Sequence, residues 1–253
     1  DPSDVPESTT MPQSKPFHWS SDVASRKGQI RDENQDAVGL LELASDCAVL
    51  IVCDGAGGIE GGRAASRSAV RALKTSLRAS YTSQGQIKPD DLELAIALAR
   101  QAASNQELSG VTTAIIAVVQ QDMLHFATLG DGALTVIWPD GLIGPVQVPH
   151  HTAGAPSNVI NAFIGTGCNA PARTGSLRLE PGCTVMAMSD GASDLFPFEE
   201  VALNRESYPD LGGLADLFLE QLEAARDPQT GAYLHSDNLT LALARLHGGS
   251  SHD

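Results

Sequence analysis

A chain of 253 residues, 42% of them hydrophobic, is long enough to bury a real core in one sizeable domain or two small ones. Its 31 Asp and Glu outnumber 16 Lys and Arg, for a formal net charge of -15; that balance argues against nucleic acid or an anionic membrane as the main partner and suits a protein that handles cations. No apolar stretch approaches the ~20 residues of a membrane span, and most of the carboxylates read as solubilising surface. The four cysteines (Cys47, Cys53, Cys168, Cys183) show no CxxC pairing and sit mostly in apolar runs, so they read as buried reduced thiols of a cytoplasmic protein, not as disulfides or zinc ligands.

Residues 1–16 are rich in Pro, Ser and Thr and read as a disordered tail or linker; one folded domain is expected over 17–247 and a disordered end over 248–253. Ala37–Leu43 is strand-like, and "CAVLIVCD" (Cys47–Asp54) is a buried strand by its continuous apolarity. Gly62–Ser80 is a helix with Ala65, Ala69, Leu73 and Leu77 on one face. A second helix runs from about Asp91 to Asn105, with Asp90 and Glu93 as a capping box behind Pro89. Thr112–Asp131 holds two strands joined at Gln120-Gln121-Asp122; Ala133–Gly141 adds a third that turns at Asp140-Gly141, and Leu142–Pro149 a fourth. His150–Arg173 reads as a long loop with a short helix near Val159–Phe163. Cys183–Asp190 is a strand, Leu214–Arg226 a helix and Asn238–Leu246 a closing strand. Strands in runs and helices in pairs predict α+β with antiparallel sheets.

The chemistry is concentrated where apolar strands stop. In "VCDGAGGIEGGRAAS" (Val52–Ser66), Gly57 and Gly62 have the spacing of a phosphate-binding loop, but Arg63 and Ala64 stand where its Lys and Ser/Thr belong. The dinucleotide pattern fails as well, since its last glycine falls on Glu60. Asp54 has a different explanation. Asp54-Gly55, Asp131-Gly132 and Asp190-Gly191 each close an apolar strand with an acid and a glycine, Asp36 precedes a strand, and Asp237-Asn238 opens the last one. Any single Asp-Gly is an ordinary turn, as Asp140-Gly141 is read here. Several that converge would repel one another unless a cation compensates them, and oxygen ligands without Cys or His spacing point to Mg²⁺ or Mn²⁺. His150-His151 lacks a second ligand pair, and His125 reads as a satisfied core histidine. His235 is placed to support Asp237; Thr112, Thr113 and Asn238 orient strand ends; Trp19 and Trp138 are packing residues.

Six segments in order, "RDENQD" (Arg31–Asp36), "VCDGAGG" (Val52–Gly58), "GVTTAIIAVV" (Gly110–Val119), "ATLGDGALTVI" (Ala127–Ile137), "AMSDGASDLF" (Ala187–Phe196) and "SDNLTLAL" (Ser236–Leu243), together resemble the metal-dependent serine/threonine protein phosphatases, the type-2C or PPM family, in its bacterial form. The resemblance covers Trp19 to Leu246. It implies a four-layer α/β/β/α sandwich of two antiparallel sheets flanked by helices, and hydrolysis of phosphoserine and phosphothreonine in proteins by a metal-activated water. Two Mn²⁺ or Mg²⁺ ions are implied, with a third, weaker one at Asp131. Asp54 matches the carboxylate that bridges the two metals, with the Gly55 carbonyl as a further ligand. Asp190 and Asp237 match ligands of the first metal, Asp36 the acid that completes the second, and Arg31 the arginine that binds phosphate. Gln35 departs from the family's usual Glu, Ala56 stands where eukaryotic members often carry a histidine, and Gly132-Ala133 replaces the usual Ser-Arg. The partners implied are phosphorylated proteins and a cognate Ser/Thr kinase, with no nucleic acid and no membrane, and a monomer is expected. Two other readings are a pseudophosphatase scaffold that binds a kinase or phosphoprotein, and a nucleotide-binding switch on the Gly57–Gly62 loop.

Overall fold

The computed structural model describes residues 17–107, 109–146 and 161–248. Strands β1 (His18–Arg26), β2 (Ala37–Ala44) and β3 (Cys47–Cys53) come first, and the short β4 (Gly55–Ala56) turns into helices α1 (Gly58–Gln84) and α2 (Pro89–Asn105). A run of strands follows: β5 (Val111–Thr112), β6 (Ala114–Gln120), β7 (Met123–Leu129), β8 (Ala133–Ile137), β9 (Ile143–Pro145), β10 (Arg173–Arg178) and β11 (Thr184–Met188). Helices α3 (Asp190–Ser193), α4 (Phe198–Leu203) and α5 (Leu214–Ala224) then lead to β12 (Leu239–His247).

The long strands form two five-stranded sheets, in the orders β1-β12-β11-β8-β9 and β10-β7-β6-β3-β2, with every pairing antiparallel. Alternation along a strand explains how they stack. On β3, Ala48, Leu50 and Val52 meet Val185, Ala187, Ala242 and Ala244 of the other sheet. Val49, Ile51 and Cys53 point the opposite way, onto Leu73 and Leu77 of α1 and Ile96 of α2. β12 does the same in mirror fashion: Leu239, Leu241 and Leu243 pack on Phe218, Leu219 and Leu222 of α5. Burial on both faces is why β3 and β12 are apolar throughout instead of alternating. The layers are therefore helix, sheet, sheet, helix, as expected for an α+β sandwich.

Several boundaries differ from expectation. α1 begins four residues before Gly62 and ends four after Ser80. α2 starts at Pro89, and its capping box uses Lys88 and Asp91, whose Oδ2 accepts the Lys88 N–H at 2.8 Å, in place of Asp90 and Glu93. The fourth strand of the run is cut to Ile143–Pro145. The helix expected near Val159–Phe163 lies mostly outside the described residues, and Asn161 to Phe163 are not helical. The ends expected to be disordered also lie outside them, but for Gly248. All four cysteines are buried and free, and burial lifts the Cys47 thiol to about 12 and the Cys183 thiol to about 11. No helix among the described residues is long and apolar enough to cross a membrane.

Candidate metal centre

Register brings the strand-end acids together. Ala37 pairs with Cys53, so Asp36, one residue before β2, and Asp54, one after β3, emerge side by side. In the other sheet Met188 pairs with Leu241, which puts Asp190 beside the Asp237-Asn238 entry to β12. Met188 also pairs with Ala133, so the turn holding Asp131 opens at the same end. Each sheet thus delivers acids to one edge of the sandwich.

Asp36, Asp54, Asp190 and Asp237 act on one another. Asp54 is half-buried, yet desolvation pushes its carboxyl well above the ordinary range, and the charges of Asp36, Asp190 and Asp237 push it further, with a hydrogen bond to Asp190 adding to the rise. Asp36 is buried; desolvation lifts it to about 6, against the hydrogen bond donated by Thr240 to its Oδ2 at 2.7 Å. The other oxygen of Asp36, Oδ1, has no hydrogen-bond partner. Buried polar atoms are nearly always satisfied, so an orphaned carboxylate oxygen inside a group of like charges marks a place for a cation. Among the described residues no group of three or more His, Cys, Asp or Glu is arranged as a finished cation cage. The nearest positive charge is Arg31, whose Nη2 lies 2.5 Å from Asp237 Oδ2. The donors are all oxygens, hard ligands of the kind Mg²⁺ and Mn²⁺ prefer. The residues present fit a divalent cation.

Backbone geometry holds these acids in place. The Asp54 N–H donates to Thr113 Oγ1 at 2.9 Å, and its carbonyl accepts from the Thr113 N–H and the Thr112 hydroxyl, both at 2.8 Å. Gly55 lies against the start of α1 so closely that a Cβ on it would sit 2.1 Å from the Gly62 carbonyl oxygen and 2.7 Å from that of Gln35. The Ser66 hydroxyl, about two turns into α1, donates to the same Gln35 carbonyl at 2.5 Å. Gln35 turns its side-chain amide to Glu33 Oε1 at 3.0 Å.

Asn238 is the residue whose importance the sequence understated. Its amide donates to the carbonyls of Lys27 at 2.8 Å and Glu33 at 2.9 Å, while its Oδ1 accepts the Gln35 N–H at 2.9 Å. One buried side chain therefore fixes the whole Lys27–Gln35 loop, Arg31 included, against Asp237. The only advance signal was its place directly after an acid at a strand entry. His235 is buried, with Nδ1 3.0 Å from the Gly191 carbonyl, and ties the segment before Asp237 to α3. His125 is half-buried and bonded through Nδ1 to Ser176 Oγ at 2.6 Å. Trp19 donates Nε1–H to the Gln121 carbonyl at 2.9 Å. His150 and His151 lie outside the described residues.

The fold has known counterparts. The serine/threonine phosphatase stp of Listeria monocytogenes is 24% identical over 242 residues, which cover 86% of this chain and 92% of that protein. The structure of the S. agalactiae serine/threonine phosphatase superposes with a TM-score of 0.73 at 20% identity, over 90% of this chain and 99% of its own. The catalytic domain of the phosphatase PstP, solved with 2 manganese ions, gives 0.72 at 20% identity, over 91% and 99%. Such identities vouch for the fold alone. The family model for protein phosphatase 2C, however, matches residues 26–243. A match that begins on the last residue of β1 and ends within β12 leaves little of the folded chain outside it, and the chain belongs to the protein phosphatase 2C family.

Proposed function

We propose that the chain hydrolyses phosphoserine and phosphothreonine in proteins, using two Mn²⁺ or Mg²⁺ ions held at the strand-end acids. The observation that carries this reading is the buried, unpartnered Asp36 Oδ1 among four mutually repelling carboxylates drawn from both sheets. In this reading Asp54 would serve both ions, with the Gly55 carbonyl as a further ligand; Asp190 and Asp237 would hold the first ion and Asp36 would complete the second. Asp131, half-buried at the same sheet edge, serves a third and weaker ion. When bound, the ions supply Lewis acidity and activate a water for in-line attack on phosphorus.

The chain's own groups do the rest. Arg31 is half-exposed at the cleft, and its guanidinium can exchange Asp237 for two phosphoryl oxygens as a planar fork. Asn238 positions Arg31 by fixing its loop. The Thr112 and Thr113 bonds hold the Asp54 backbone so that its carboxylate is not free to turn away. No cysteine takes part: all four are buried, and burial raises the thiols of Cys47, Cys53 and Cys183. Phosphorylated proteins and a cognate kinase are the partners this chemistry needs; a cytoplasmic monomer suits the free buried thiols and acidic surface. Nothing in the site favours the scaffold without turnover, because Arg31 and the four acids are all in place.

The test is hydrolysis of a phosphothreonine peptide after chelation and metal return. Activity should vanish in chelator and come back with Mn²⁺ better than with Zn²⁺ or Ca²⁺. Full activity in excess chelator would overturn the proposal.

A further inference from the structure

Two cavities adjoin at the metal-centre edge of the molecule. One, of about 460 Å³, is the polar cleft bounded by Asp190, Asp194, Ser236 and Asp237. The other, of about 440 Å³, is walled chiefly by carbon, from Phe196, Pro197, Phe218, Leu222 and Ala225. Leu195, Leu234 and His235 line both, so they form the partition between them. The floor of the second cavity is rigid: Phe196 and Phe218 are buried and meet edge to face at 5.7 Å. Of the partition, His235 is buried but the two leucines are open, Leu195 52% and Leu234 44% exposed. Scattered exposed leucines need no explanation. Two that flank an open apolar pocket directly beside a carboxylate cluster form a continuous path from charge to hydrocarbon.

We propose that this apolar pocket receives a bulky apolar side chain of the phosphoprotein, about three residues from the phosphorylated one. The inference rests on the phosphatase reading above and names the class of substrate it acts on: phosphoserine or phosphothreonine segments with a nearby Leu, Ile, Met or Phe. The spacing follows from size. Adjoining cavities of these volumes put their centres roughly 10 Å apart, a span an extended chain covers in about three residues. Charge sharpens the choice. Asp194 borders the cleft and Glu200 the pocket, so an acidic residue at that position is repelled and left without a partner, which discriminates as strongly as the apolar contact attracts. Small and polar residues leave the pocket and its leucine partition wet.

The experiment uses the full chain loaded with Mn²⁺ and a set of phosphothreonine peptides on an Ala/Ser background. A single Leu is moved from four residues before the phosphothreonine to four after it. An all-Ala peptide, an Asp series and p-nitrophenyl phosphate complete the set. The expected result is a rise of about tenfold in kcat/KM over the all-Ala peptide at one position near three residues from the phosphothreonine, as one buried side chain typically gives. Asp at that position should fall below Ala. In Leu195→Ser and Leu234→Ser, whose changes lie on the surface, the Leu-to-Ala ratio should drop to about one. A flat ratio across the set, with every peptide hydrolysed, overturns the pocket and leaves the phosphatase reading standing. No hydrolysis of any member, p-nitrophenyl phosphate included, removes the phosphatase reading and the pocket with it.

Discussion

Replacing Asp54 by Asn keeps its shape and removes its charge, and so separates catalysis from folding. Burial and three neighbouring acids oppose its ionisation, so Asp54→Asn should stabilise the metal-free protein, by about 1 kcal/mol or 2–4 °C in Tm, while turnover is lost. Near wild-type kcat at saturating Mn²⁺ would end its assignment as the bridging ligand. Arg31 faces a milder test. A charge-assisted pair to phosphate contributes about 1.5–3 kcal/mol, so Arg31→Ala should lower kcat/KM roughly ten- to hundredfold, with Lys recovering only part. Its half-exposed pair with Asp237 adds little to stability. A third residue contributes to acid sensitivity. His247 stacks on His18 with ring centroids 4.6 Å apart. Burial, then the charges of His18 and Arg245, hold its pKa below the ordinary 6.5. The unfolded chain takes up this proton first, so the contribution is complete above about pH 6.5 and is lost as pH falls below it. Asp36 and Asp54, whose carboxyls are raised, act in the opposite sense over this range, so the measurement that isolates His247 is the difference in Tm between wild type and His247→Gln from pH 7.5 to 5, which should shift against wild type as pH falls.

At the level of elements, the contact between β4 and α1 is made backbone to backbone. A Cβ on Gly62 would sit 2.7 Å from the Gly55 carbonyl, so Gly62→Ala must push the helix start away from the loop that carries Asp54. The expected cost is about 1–3 kcal/mol of stability, with kcat/KM down at least about tenfold. Gly85 is the contrast: its φ of +71° closes α1 in open space, and Gly85→Ala should lose about 1 kcal/mol without a kinetic effect. Equal kinetic losses in the two variants would show that the close approach has no special role. The same distinction between local and distant causes explains what the sequence revealed. β3 and β12 were legible because burial on both faces makes them apolar throughout. β1 and β10 were not: "HWSSDVASR" and "RTGSLR" lie at sheet edges, are mostly polar, and become strands only through partners far along the chain. The cap of α2 was misplaced because Lys88 is an unusual N-cap that contributes backbone groups alone, its N–H to Asp91 Oδ2 and its carbonyl to the Asp91 N–H. The acids of the site could be read from their position after apolar runs. Asn238, Thr112 and Thr113 could be read only as structural, since the backbone groups they bind are remote in sequence.

Across the whole molecule, the proposed metal centre draws on both sheets, with Asp36 and Asp54 at the strand ends of one and Asp190 and Asp237 at those of the other. A cation bound there stabilises only the folded arrangement. Mn²⁺ at a hundred times its Kd should therefore add about 2.7 kcal/mol per site, several degrees in Tm for a chain of this size. Scanning calorimetry with and without Mn²⁺ reads this directly, and an unchanged Tm in wild type alongside Mn²⁺-dependent turnover would contradict the cross-sheet placement. The sheet order has a further consequence for how the protein is made. β12, the last of the described strands, lies inside its sheet between β1, the first of them, and β11, and β1 pairs with it along all nine residues from His18 to Arg26. At the usual 5–20 residues per second of synthesis, β1 waits on the order of 10–40 s for its partner to leave the ribosome. Until then one sheet lacks an interior strand and Asp237 does not yet exist, so a chain interrupted before β12 releases no partly active enzyme.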